Sequence, residues 1–443
     1  MTATGGNKHV KDWKHCKLGH ALEGGDPVAS YLIRHTPRLS GEVEVSAAKN
    51  AVLPILAAGL LSEDPLIVKD VPRITDVDML LSILRDCGAH VQRSGMDVSV
   101  CAMHPQSPNH EETMRRLRAS ILILGPILAR TGSACVGLPG GCAIGQRPID
   151  LHLRGLQALG AQVHAMGGMR QLSGRLTGAR VYLDLPSVGA TENLMMAATL
   201  ANGQTTIENA AKEPEITDLA NCLNQMGAKI SGAGTDTVKI RGVSELRGAS
   251  YAIIPDQIEA GTYMAAATAA GGNVLVQNII PKHMECITSK LQEMGVKVIN
   301  FDDSIRVMSD GKLRHTTVKT RPYPGFPTDM QAQICVCMSI AQGISRLTES
   351  VYETRFFGYC TELASMGADI LINGKTAIVS GREKLVGANV HAHDLRAGSA
   401  LVIAGLAAEG TTEVENIYFI ERGYERIVEK MNALGADIKR IED

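Results

Sequence analysis

The 443-residue chain is long enough for two or three domains, and its apolar fraction of 45 % is sufficient for packed cores. The formal net charge is −2 and aromatic residues make up 3 % of the chain, which argues against a nucleic-acid-binding protein with a basic face and stacking platforms. Any anionic ligand is therefore expected to be bound by a local cluster of positive charge.

Cysteine usage and hydropathy indicate the cellular compartment in which the protein is expected. The ten cysteines include no CxxC pair, and several lie in apolar periodic segments, which favours reduced core cysteines over a disulfide framework. The apolar run 51–61 is shorter than the roughly 18 residues of a membrane span, and the N-terminus lacks the apolar core of a signal peptide. We expect a cytoplasmic protein that does not interact with membranes.

The chain begins with a segment that shows no hydrophobic period. Residues 1–33 are rich in lysine, histidine and paired glycines, and we predict a flexible N-terminal tail. Residues 39–45 are predicted to form a strand that precedes the first repeating unit and pairs with the lobe at the end of the chain.

A six-fold internal repeat dominates the rest of the sequence. A Leu-x-x-x-Gly-Ala-x-Val type of motif occurs six times, one copy being shifted by a residue at its start, and its glycines are 67 to 72 residues apart. Each copy is typical of a helix end, a left-handed C-terminal cap and a short strand. The six motif glycines are Gly88, Gly160, Gly227, Gly295, Gly367 and Gly435.

A second, apolar helix is predicted about 36 to 42 residues before each of these glycines. These helices are too apolar on all sides to lie on the surface, so we expect an α/β fold in which buried helices are enclosed by sheets. Six repeats divide into two lobes of three, with a candidate crossing between them at 241–250. The predicted domains are the tail 1–33, a lobe formed by 34–48 plus 251–443, and a lobe formed by 49–250.

Charged residues occur where the apolar helices begin. Lys49, Arg118, Asp329 and Arg396 take these positions, with Ser187 and Thr191 at the third helix. Free N–H groups and the helix dipole favour anions at such ends, so lysine and arginine there indicate an anion site. For Asp329, Asp394 and Thr191, taken singly, the alternative is simple helix capping.

The segment 138–151 is a second candidate for chemistry. Glycine and proline flank Cys142 so closely that the segment is predicted to be a loop with an accessible thiol. Arg147, five residues further on, would lower the pKa of that thiol. The alternative is a cysteine that lies in a turn without a function.

Six segments in one order carry a family resemblance. They are Ser46-Ala-Ala-Lys-Asn-Ala-Val-Leu-Pro, the loop 139–151, Leu185-Pro-Ser-Val-Gly-Ala-Thr-Glu-Asn, Pro324-Gly-Phe-Pro-Thr-Asp-Met-Gln-Ala-Gln, His393-Asp-Leu-Arg-Ala and Arg422-Gly-Tyr-Glu. From about residue 39 onward the chain closely resembles the enolpyruvyl transferase family, in its branch of UDP-N-acetylglucosamine carboxyvinyltransferases. The resemblance implies two lobes of three repeats, each an inside-out α/β barrel, and no metal or organic cofactor.

The resemblance also implies an activity. Members transfer the enolpyruvyl group of phosphoenolpyruvate to the 3-hydroxyl of UDP-N-acetylglucosamine and release phosphate, the first committed step of peptidoglycan precursor synthesis. Cys142, Asp329, Lys49 and Arg422 would be catalytic, with Cys142 as the proton donor and Asp329 as the base or as the group that orients the 3-hydroxyl.

The substrate-binding residues carried over by position fall into two sets. Phosphoenolpyruvate would contact Lys49, Asn50, Arg147, Arg355, Arg396 and Arg422. UDP-N-acetylglucosamine would contact Arg118, Arg147, Pro148, Ile149, Asp150, Leu151, Leu185, Pro186, Ser187, Val188, Asp329 and Val351.

Departures from the family pattern leave these groups in place. Phe356-Phe-Gly-Tyr-Cys replaces a frequent Phe-Met-His segment, so the surroundings of Arg355 are expected to differ. The nearest alternative is a 5-enolpyruvylshikimate-3-phosphate synthase, which lacks the Gly-Gly-Cys loop, and the other is a relative that binds the sugar nucleotide without catalysis.

Overall fold

The computed structural model describes the backbone of residues 8–9 and residues 29–108, 117–137, 148–166, 168–352 and 354–442. The described residues separate into two compact units. The terminal unit contains 8–9, 29–45 and 257–442, and the central unit contains the described residues between 46 and 256. No helix within the described ranges is long and apolar enough to cross a membrane.

Strands and helices alternate along both units. The strands are β1 (Lys8–His9), β2 (Ala29–Arg34), β3 (Leu39–Glu44), β4 (Leu66–Lys69), β5 (His90–Ser94), β6 (Asp97–Cys101), β7 (Ser133–Gly137), β8 (Gln162–Met166), β9 (Met169–Ser173), β10 (Arg180–Tyr182), β11 (Gln204–Glu208), β12 (Lys229–Ser231), β13 (Thr237–Arg241), β14 (Ala249–Ala252), β15 (Gly272–Gln277), β16 (Lys297–Asn300), β17 (Ser304–Ser309), β18 (Thr317–Lys319), β19 (Ile344–Thr348), β20 (Asp369–Asn373), β21 (Thr376–Ser380), β22 (Asn389–His391), β23 (Thr411–Glu415) and β24 (Asp437–Glu442).

The helices follow the same order. They are α1 (Lys49–Ala58), α2 (Thr75–Asp86), α3 (Leu124–Thr131), α4 (Asp150–Ala158), α5 (Val188–Ala198), α6 (Pro214–Gln225), α7 (Gln257–Ala269), α8 (Glu285–Glu293), α9 (Gln331–Ser339), α10 (Cys360–Ser365), α11 (Leu395–Ala407), α12 (Tyr418–Glu421) and α13 (Ile427–Ala433). Short 3₁₀ turns occur at Gly59–Leu61, Arg118–Ile123, Pro281–Met284, Thr328–Met330 and Arg355–Gly358.

Each unit has three sheets in its described part. In the central unit the strand orders are β14-β4-β6-β5, β7-β9-β8 and β10-β11-β13-β12. In the terminal unit they are β16-β17-β15-β3, β1-β20-β21-β19-β18 and β22-β23-β2-β24. As predicted, the strand near residue 39 joins the lobe at the end of the chain, because β3 pairs in parallel with β15.

The predicted repeat is confirmed by the backbone. The six motif glycines follow helices α2, α4, α6, α8, α10 and α13, and their φ angles lie between 82° and 104°. Glycine adopts this left-handed conformation without the steric cost of a Cβ, so it ends the helix and starts the next strand. Strands β5, β8, β12, β16, β20 and β24 follow.

The apolar helices are buried, also as predicted. Every residue of α9 is buried, as are twelve of the thirteen residues of α7 and of α11. In the terminal unit these three helices contact one another. The fold is thus α/β with enclosed helices, in agreement with the inside-out arrangement.

Two boundaries differ from the predictions. The tail was predicted to extend to residue 33, but β2 lies between β23 and β24, with Tyr31 and Ile33 buried. The crossing predicted at 241–250 is also wrong, because β14 (Ala249–Ala252) pairs with β4 of the central unit. The units change after residues 45 and 256, since Ala47 forms a bridge with Pro255 inside the central unit.

The burial of β2 gives a stability prediction. Ile33→Ala should lower the free energy of unfolding by about 2–4 kcal/mol, because it removes a fully buried side chain from the terminal unit. Arg34→Ala, on the exposed side of the same strand, should change it by less than about 0.5 kcal/mol. Urea unfolding followed by circular dichroism measures both variants, and equal effects would contradict the placement of β2.

Candidate active site

The predicted site residues occur in both units. The central unit contains Lys49, Asn50, Arg118, the segment 148–151 and the segment 185–188, and the terminal unit contains Asp329, Val351, Arg355, Arg396 and Arg422. Cys142 and Arg147 lie outside the described residues.

In the terminal unit, one carboxylate pairs with two arginines. Asp329 Oδ1 accepts a hydrogen bond from Arg355 Nη1 at 3.0 Å, and Oδ2 accepts from Arg396 Nε at 3.2 Å and Nη2 at 3.0 Å. Both arginine side chains are only 3 % exposed, whereas the Asp329 side chain is 24 % exposed. The structure therefore brings three of the predicted residues together.

Arg396 is held by further contacts at the start of α11. Its Nη1 donates to the Tyr424 hydroxyl at 3.2 Å, and its guanidinium lies 5.5 Å from the centre of the Tyr424 ring. Asp394 caps α11, because its Oδ1 accepts hydrogen bonds from the backbone N–H groups of Arg396 and Ala397. Cap and ring together fix the direction of the guanidinium.

Arg355 lies in the 3₁₀ turn that precedes α10. Burial disfavours its charged form, but the carboxylates of Asp329 and Asp394 outweigh burial and raise the pKa of Arg355. Its Nη1 also donates to Thr328 Oγ1 at 2.9 Å. Arg355 is therefore a permanent buried cation with a fixed orientation.

The capping alternatives have different outcomes. Asp394 does cap its helix, whereas Thr191 lies inside α5, which is capped by Ser187. Asp329 lies within the 3₁₀ turn, and the N-cap of α9 is Met330, without a side-chain cap hydrogen bond. The two arginines, not a helix end, are thus the partners that distinguish Asp329.

In the central unit, the predicted lysine is paired with an acid. Lys49 Nζ lies 2.8 Å from Asp76 Oδ2, and its backbone N–H donates to Asp256 Oδ2 at 3.0 Å. The Asp76 side chain is 3 % exposed and the Lys49 side chain 13 %, so the ammonium group is held against a nearly buried carboxylate in the first turn of α2. Asn50 is exposed beside it.

Further predicted residues lie at other helix starts of the central unit. Arg118 opens the 3₁₀ turn before α3, and residues 148–151 span the start of α4. Ser187 Oγ accepts from the backbone N–H of Ala190 at 3.3 Å, while Leu185 is 68 % exposed. In the terminal unit, Val351 is exposed and Arg422 is half-buried at the end of α12.

A buried histidine next to these residues was not predicted. Asn193 Oδ1 accepts from the backbone N–H of Gly125 at 2.6 Å, which orients the amide so that its Nδ2 faces His152 Nδ1 at 3.1 Å. An amide nitrogen only donates, so Nδ1 must accept and His152 must be neutral. Burial, reinforced by the charge of Arg118, lowers the pKa of His152 to about 3.

Three other residues in contact with predicted residues or their neighbours, Asp76, Tyr424 and Glu349, were not predicted either. Tyr424 lies within the quoted Arg422-Gly-Tyr-Glu motif, so the motif itself was a signal. Asp76 and Glu349 occur in no motif that was singled out, and only the folded chain brings them to Lys49 and Thr328. Within the described part of the chain, no group of three or more His, Cys, Asp or Glu residues is placed to hold a metal ion.

The fold and the site define a class of protein. The enolpyruvyl transferase NikO from Streptomyces tendae has a similar structure, with a TM-score of 0.84 and 25 % identity, and the match covers 94 % of this chain and 100 % of that chain. Together with the paired arginines and the six repeats, this similarity places the chain among the enolpyruvyl transferases.

The family follows from the sequence match. The sequence model of the family EPSP synthase (3-phosphoshikimate 1-carboxyvinyltransferase) matches residues 33–431, and the chain belongs to this family. The chain is 52 % identical over 420 residues to UDP-N-acetylglucosamine 1-carboxyvinyltransferase 2 of Carboxydothermus hydrogenoformans, and 50 % identical over 413 residues to UDP-N-acetylglucosamine 1-carboxyvinyltransferase 1 of Caldanaerobacter subterraneus subsp. tengcongensis. Each match covers 93 % of this chain and 99 % of the relative.

The neutral state of His152 predicts acid sensitivity. Between pH 6.5 and about 3 the unfolded chain binds a proton at His152 that the folded chain excludes, so stability is full above pH 6.5 and falls as the pH decreases. His152→Gln keeps a hydrogen-bond acceptor for Asn193, but glutamine binds no proton in the unfolded chain. From pH 7.5 to 5.0, the wild type should lose about 2 kcal/mol more than the variant.

Urea midpoints at both pH values measure this difference. His164→Gln is the matched control, because His164 is an exposed histidine of the same unit and its replacement should leave the pH dependence unchanged. Parallel losses in wild type and His152→Gln would refute the assignment of a neutral His152.

Proposed function

We propose that this chain transfers the enolpyruvyl group of phosphoenolpyruvate to the 3-hydroxyl of UDP-N-acetylglucosamine and releases phosphate. The observation that carries the proposal is sequence identity of 50 % and 52 % to two proteins named for this activity. Each match extends over almost the full length of this chain and of the relative. The reaction would supply peptidoglycan precursor synthesis, and through it cell-wall growth, cell shape and cell division.

The terminal unit would bind the acidic part of the donor. Arg355 and Arg396 are assigned to the carboxylate of phosphoenolpyruvate, and Arg422 to its phosphate. The two buried guanidiniums share the single carboxylate of Asp329, so these three side chains retain a net positive charge that favours an anion. Asp329 is assigned to the sugar 3-hydroxyl, and Val351 to the UDP-sugar.

The central unit would supply the remaining contacts. Lys49 is assigned to the phosphate with Arg147, and Asn50 lies next to Lys49 in the chain. Arg118, residues 147–151 and residues 185–188 are assigned to the UDP-sugar. The start of α4 and the Ser187-capped start of α5 offer backbone N–H groups, which suit diphosphate oxygens.

The reaction is an addition followed by an elimination. The 3-hydroxyl oxygen bonds to C-2 of phosphoenolpyruvate while its proton leaves to a base, and C-3 gains a proton from an acid. In the second step C-3 loses a proton, the C-2–phosphate oxygen bond breaks, and the double bond is restored. We assign Asp329 to the hydroxyl proton and Cys142 to the C-3 proton, while the cations compensate the shifting charge.

A cytoplasmic location is part of the proposal. Eight cysteines within the described ranges are free thiols, and five of these are buried in the cores of the two units, at Cys87, Cys222, Cys335, Cys337 and Cys360. Free thiols of this kind are typical of a reducing compartment.

Acceptor choice tests the function. Phosphate release from phosphoenolpyruvate should require UDP-N-acetylglucosamine, and shikimate 3-phosphate should not replace it.

Cys142→Ala should abolish this turnover and inactivation by fosfomycin while UDP-sugar affinity stays within a few fold, because it removes only the acid. Cys101→Ala, at a partly exposed cysteine outside the assigned set, is the control that should retain activity.

Turnover with shikimate 3-phosphate alone would replace the proposal by the synthase alternative. Binding of UDP-N-acetylglucosamine without turnover of either acceptor would favour the non-catalytic relative.

The double ion pair of Asp329 yields a second prediction. Asp329→Asn should lower kcat by about a hundredfold or more, the usual effect of losing a general base. It should also lower the melting temperature, because two buried guanidiniums lose their shared counter-charge. Asp302→Asn, an exposed acid in the same unit, should change neither quantity.

Kinetics are measured well below the melting temperature of the variant, so that unfolding does not contribute to the loss. A kcat within threefold of wild type would remove Asp329 from the mechanism.

A further inference from the structure

A buried glutamate outside the assigned residues accepts five hydrogen bonds. Glu349 follows β19 and is completely buried. Its Oε1 accepts from Thr320 Oγ1 at 2.8 Å and from the backbone N–H groups of Val351 and Tyr352 at 2.6 and 2.9 Å. Its Oε2 accepts from Thr328 Oγ1 and Gln331 Nε2, both at 3.0 Å.

The direction of these hydrogen bonds is fixed by the neighbours. Arg355 Nη1 donates to Thr328 Oγ1, and a guanidinium cannot accept, so the Thr328 hydroxyl must donate to Glu349. The backbone N–H of Ser350 likewise donates to Thr320 Oγ1, so that hydroxyl also donates to Glu349. Glu349 therefore acts only as an acceptor, towards five uncharged donors.

These contacts join the two segments that carry assigned residues of the terminal unit. Thr328 and Gln331 flank Asp329, and Arg355 Nη1 bridges Thr328 Oγ1 and Asp329 Oδ1. On the other side, Glu349 holds the backbone of Val351 and of Tyr352, whose ring centre lies 6.0 Å from the Arg355 guanidinium carbon. The orientation of Arg355 thus depends on Glu349 from two directions.

The repeat provides an internal comparison. The residues that follow the equivalent strands β4, β11, β15 and β23 are Asp70, Asn209, Asn278 and Asn416, all with φ between 54° and 59°. Asn209 and Asn278 each donate a side-chain hydrogen bond to a backbone carbonyl nearby. At these four positions a short Asx residue with positive φ completes the turn, whereas Glu349 does not have a positive φ, so the turn after β19 differs from the other four.

We propose that Glu349 is a positioning residue that sets the directions of Arg355 and Asp329 through the hydroxyl of Thr328. The role rests on the proposed function, because Arg355 and Asp329 are assigned there to the donor carboxylate and the sugar hydroxyl. Glu349 itself contacts neither substrate and transfers no proton.

Glu349→Gln is the sharpest test. The amide has nearly the same shape, but its NH₂ group must face either the two backbone N–H groups or the Thr328 and Gln331 donors. The Thr328 hydroxyl cannot turn away without losing its hydrogen bond to Arg355. A displacement of about 1 Å in catalytic groups can cost about a hundredfold, and we expect kcat/KM for phosphoenolpyruvate to fall by about that factor.

The double mutant separates positioning from bulk stability. Thr328→Val should cause a similar loss, and Glu349→Gln combined with Thr328→Val should be little worse than either change alone, because both act through one hydroxyl. Asp218→Asn is the matched control, since Asp218 is a buried carboxylate of the central unit that accepts from the Tyr251 hydroxyl and the Ile254 N–H. It should retain kcat/KM within threefold.

The outcomes are distinct. Wild-type-like kcat/KM in Glu349→Gln, or fully additive losses in the double mutant, would overturn the proposal. If Glu349→Gln does not fold, Glu349→Asp and Thr328→Val carry the same test. Glu349→Asp keeps a carboxylate, although a shorter one, so it should retain part of the activity that Thr328→Val loses.

A crystal structure of Glu349→Gln gives a readout that does not depend on activity. The Arg355 guanidinium should move relative to Asp329 compared with the wild type, and an unchanged pair would overturn the proposal. If the wild type turns over neither acceptor, the proposed function fails, and the structural comparison alone decides the role of Glu349.

Discussion

The enclosed helices constrain where this chain can carry charge. Helices α7, α9 and α11 are buried on all sides, so an unpaired charged side chain in their middle would lose its hydration without compensation. Charge is concentrated at the helix starts instead, where backbone N–H groups are free. Arg396 is the second residue of α11, and Asp329 lies in the turn before α9. The same arrangement recurs in the central unit, where Lys49 opens α1.

Burial at these positions makes the charges depend on one another. Two guanidiniums with 3 % exposure share Asp329, and Lys49 lies against the nearly buried Asp76. Such pairs contribute little net stability, but removing one partner leaves the other buried and uncompensated. Their consequence is geometric, because a guanidinium already held by a carboxylate, a ring and a helix start has little side-chain freedom left to lose in the anion binding proposed above.

Much of the fold could be predicted because its signals are local and repeated. A glycine with positive φ after each of six helices is a backbone requirement that a single sequence reveals, and the uniform apolarity of α9 indicates burial on all faces. Strand β2 was missed because its short alternation of Tyr31 and Ile33 follows a segment without a period. The crossing was misplaced because turn-like glycines near 242–248 precede β14, whose pairing with β4 is non-local.

The structure brings some of the predicted site residues together, but the residues that support them were not predicted. Helix-start cations and the family resemblance indicated Arg396 and Asp329, and the structure brings them together. Their supporting partners, however, come from distant parts of the chain. Glu349 reaches Thr328 across 21 residues, and His152 reaches Asn193 across 41 residues. No periodic sequence pattern relates the two residues of either pair, so hydrogen-bond networks of this kind can be identified only in the folded chain.

The uniformly apolar helices also lack the feature that normally sets helix rotation. An amphipathic helix turns its apolar stripe inward, but a helix that is apolar on every face has no such preference. In each unit a buried side-chain amide sets the rotation of such a helix about its axis. Asn193 of α5 bonds to the Ile121 carbonyl, the Gly125 N–H and His152. Gln333 of α9 lies 3.3 to 3.4 Å from the hydroxyls of Thr262, Ser399 and Tyr424.

Hydrogen bonds are directional, so these buried amides fix rotation where hydrophobic packing does not. The Tyr424 hydroxyl within the Gln333 network also accepts from Arg396. The interior contacts of α9 and the direction of the Arg396 side chain are therefore parts of one network, and the rotation of a core helix is coupled to the geometry of the site at its end.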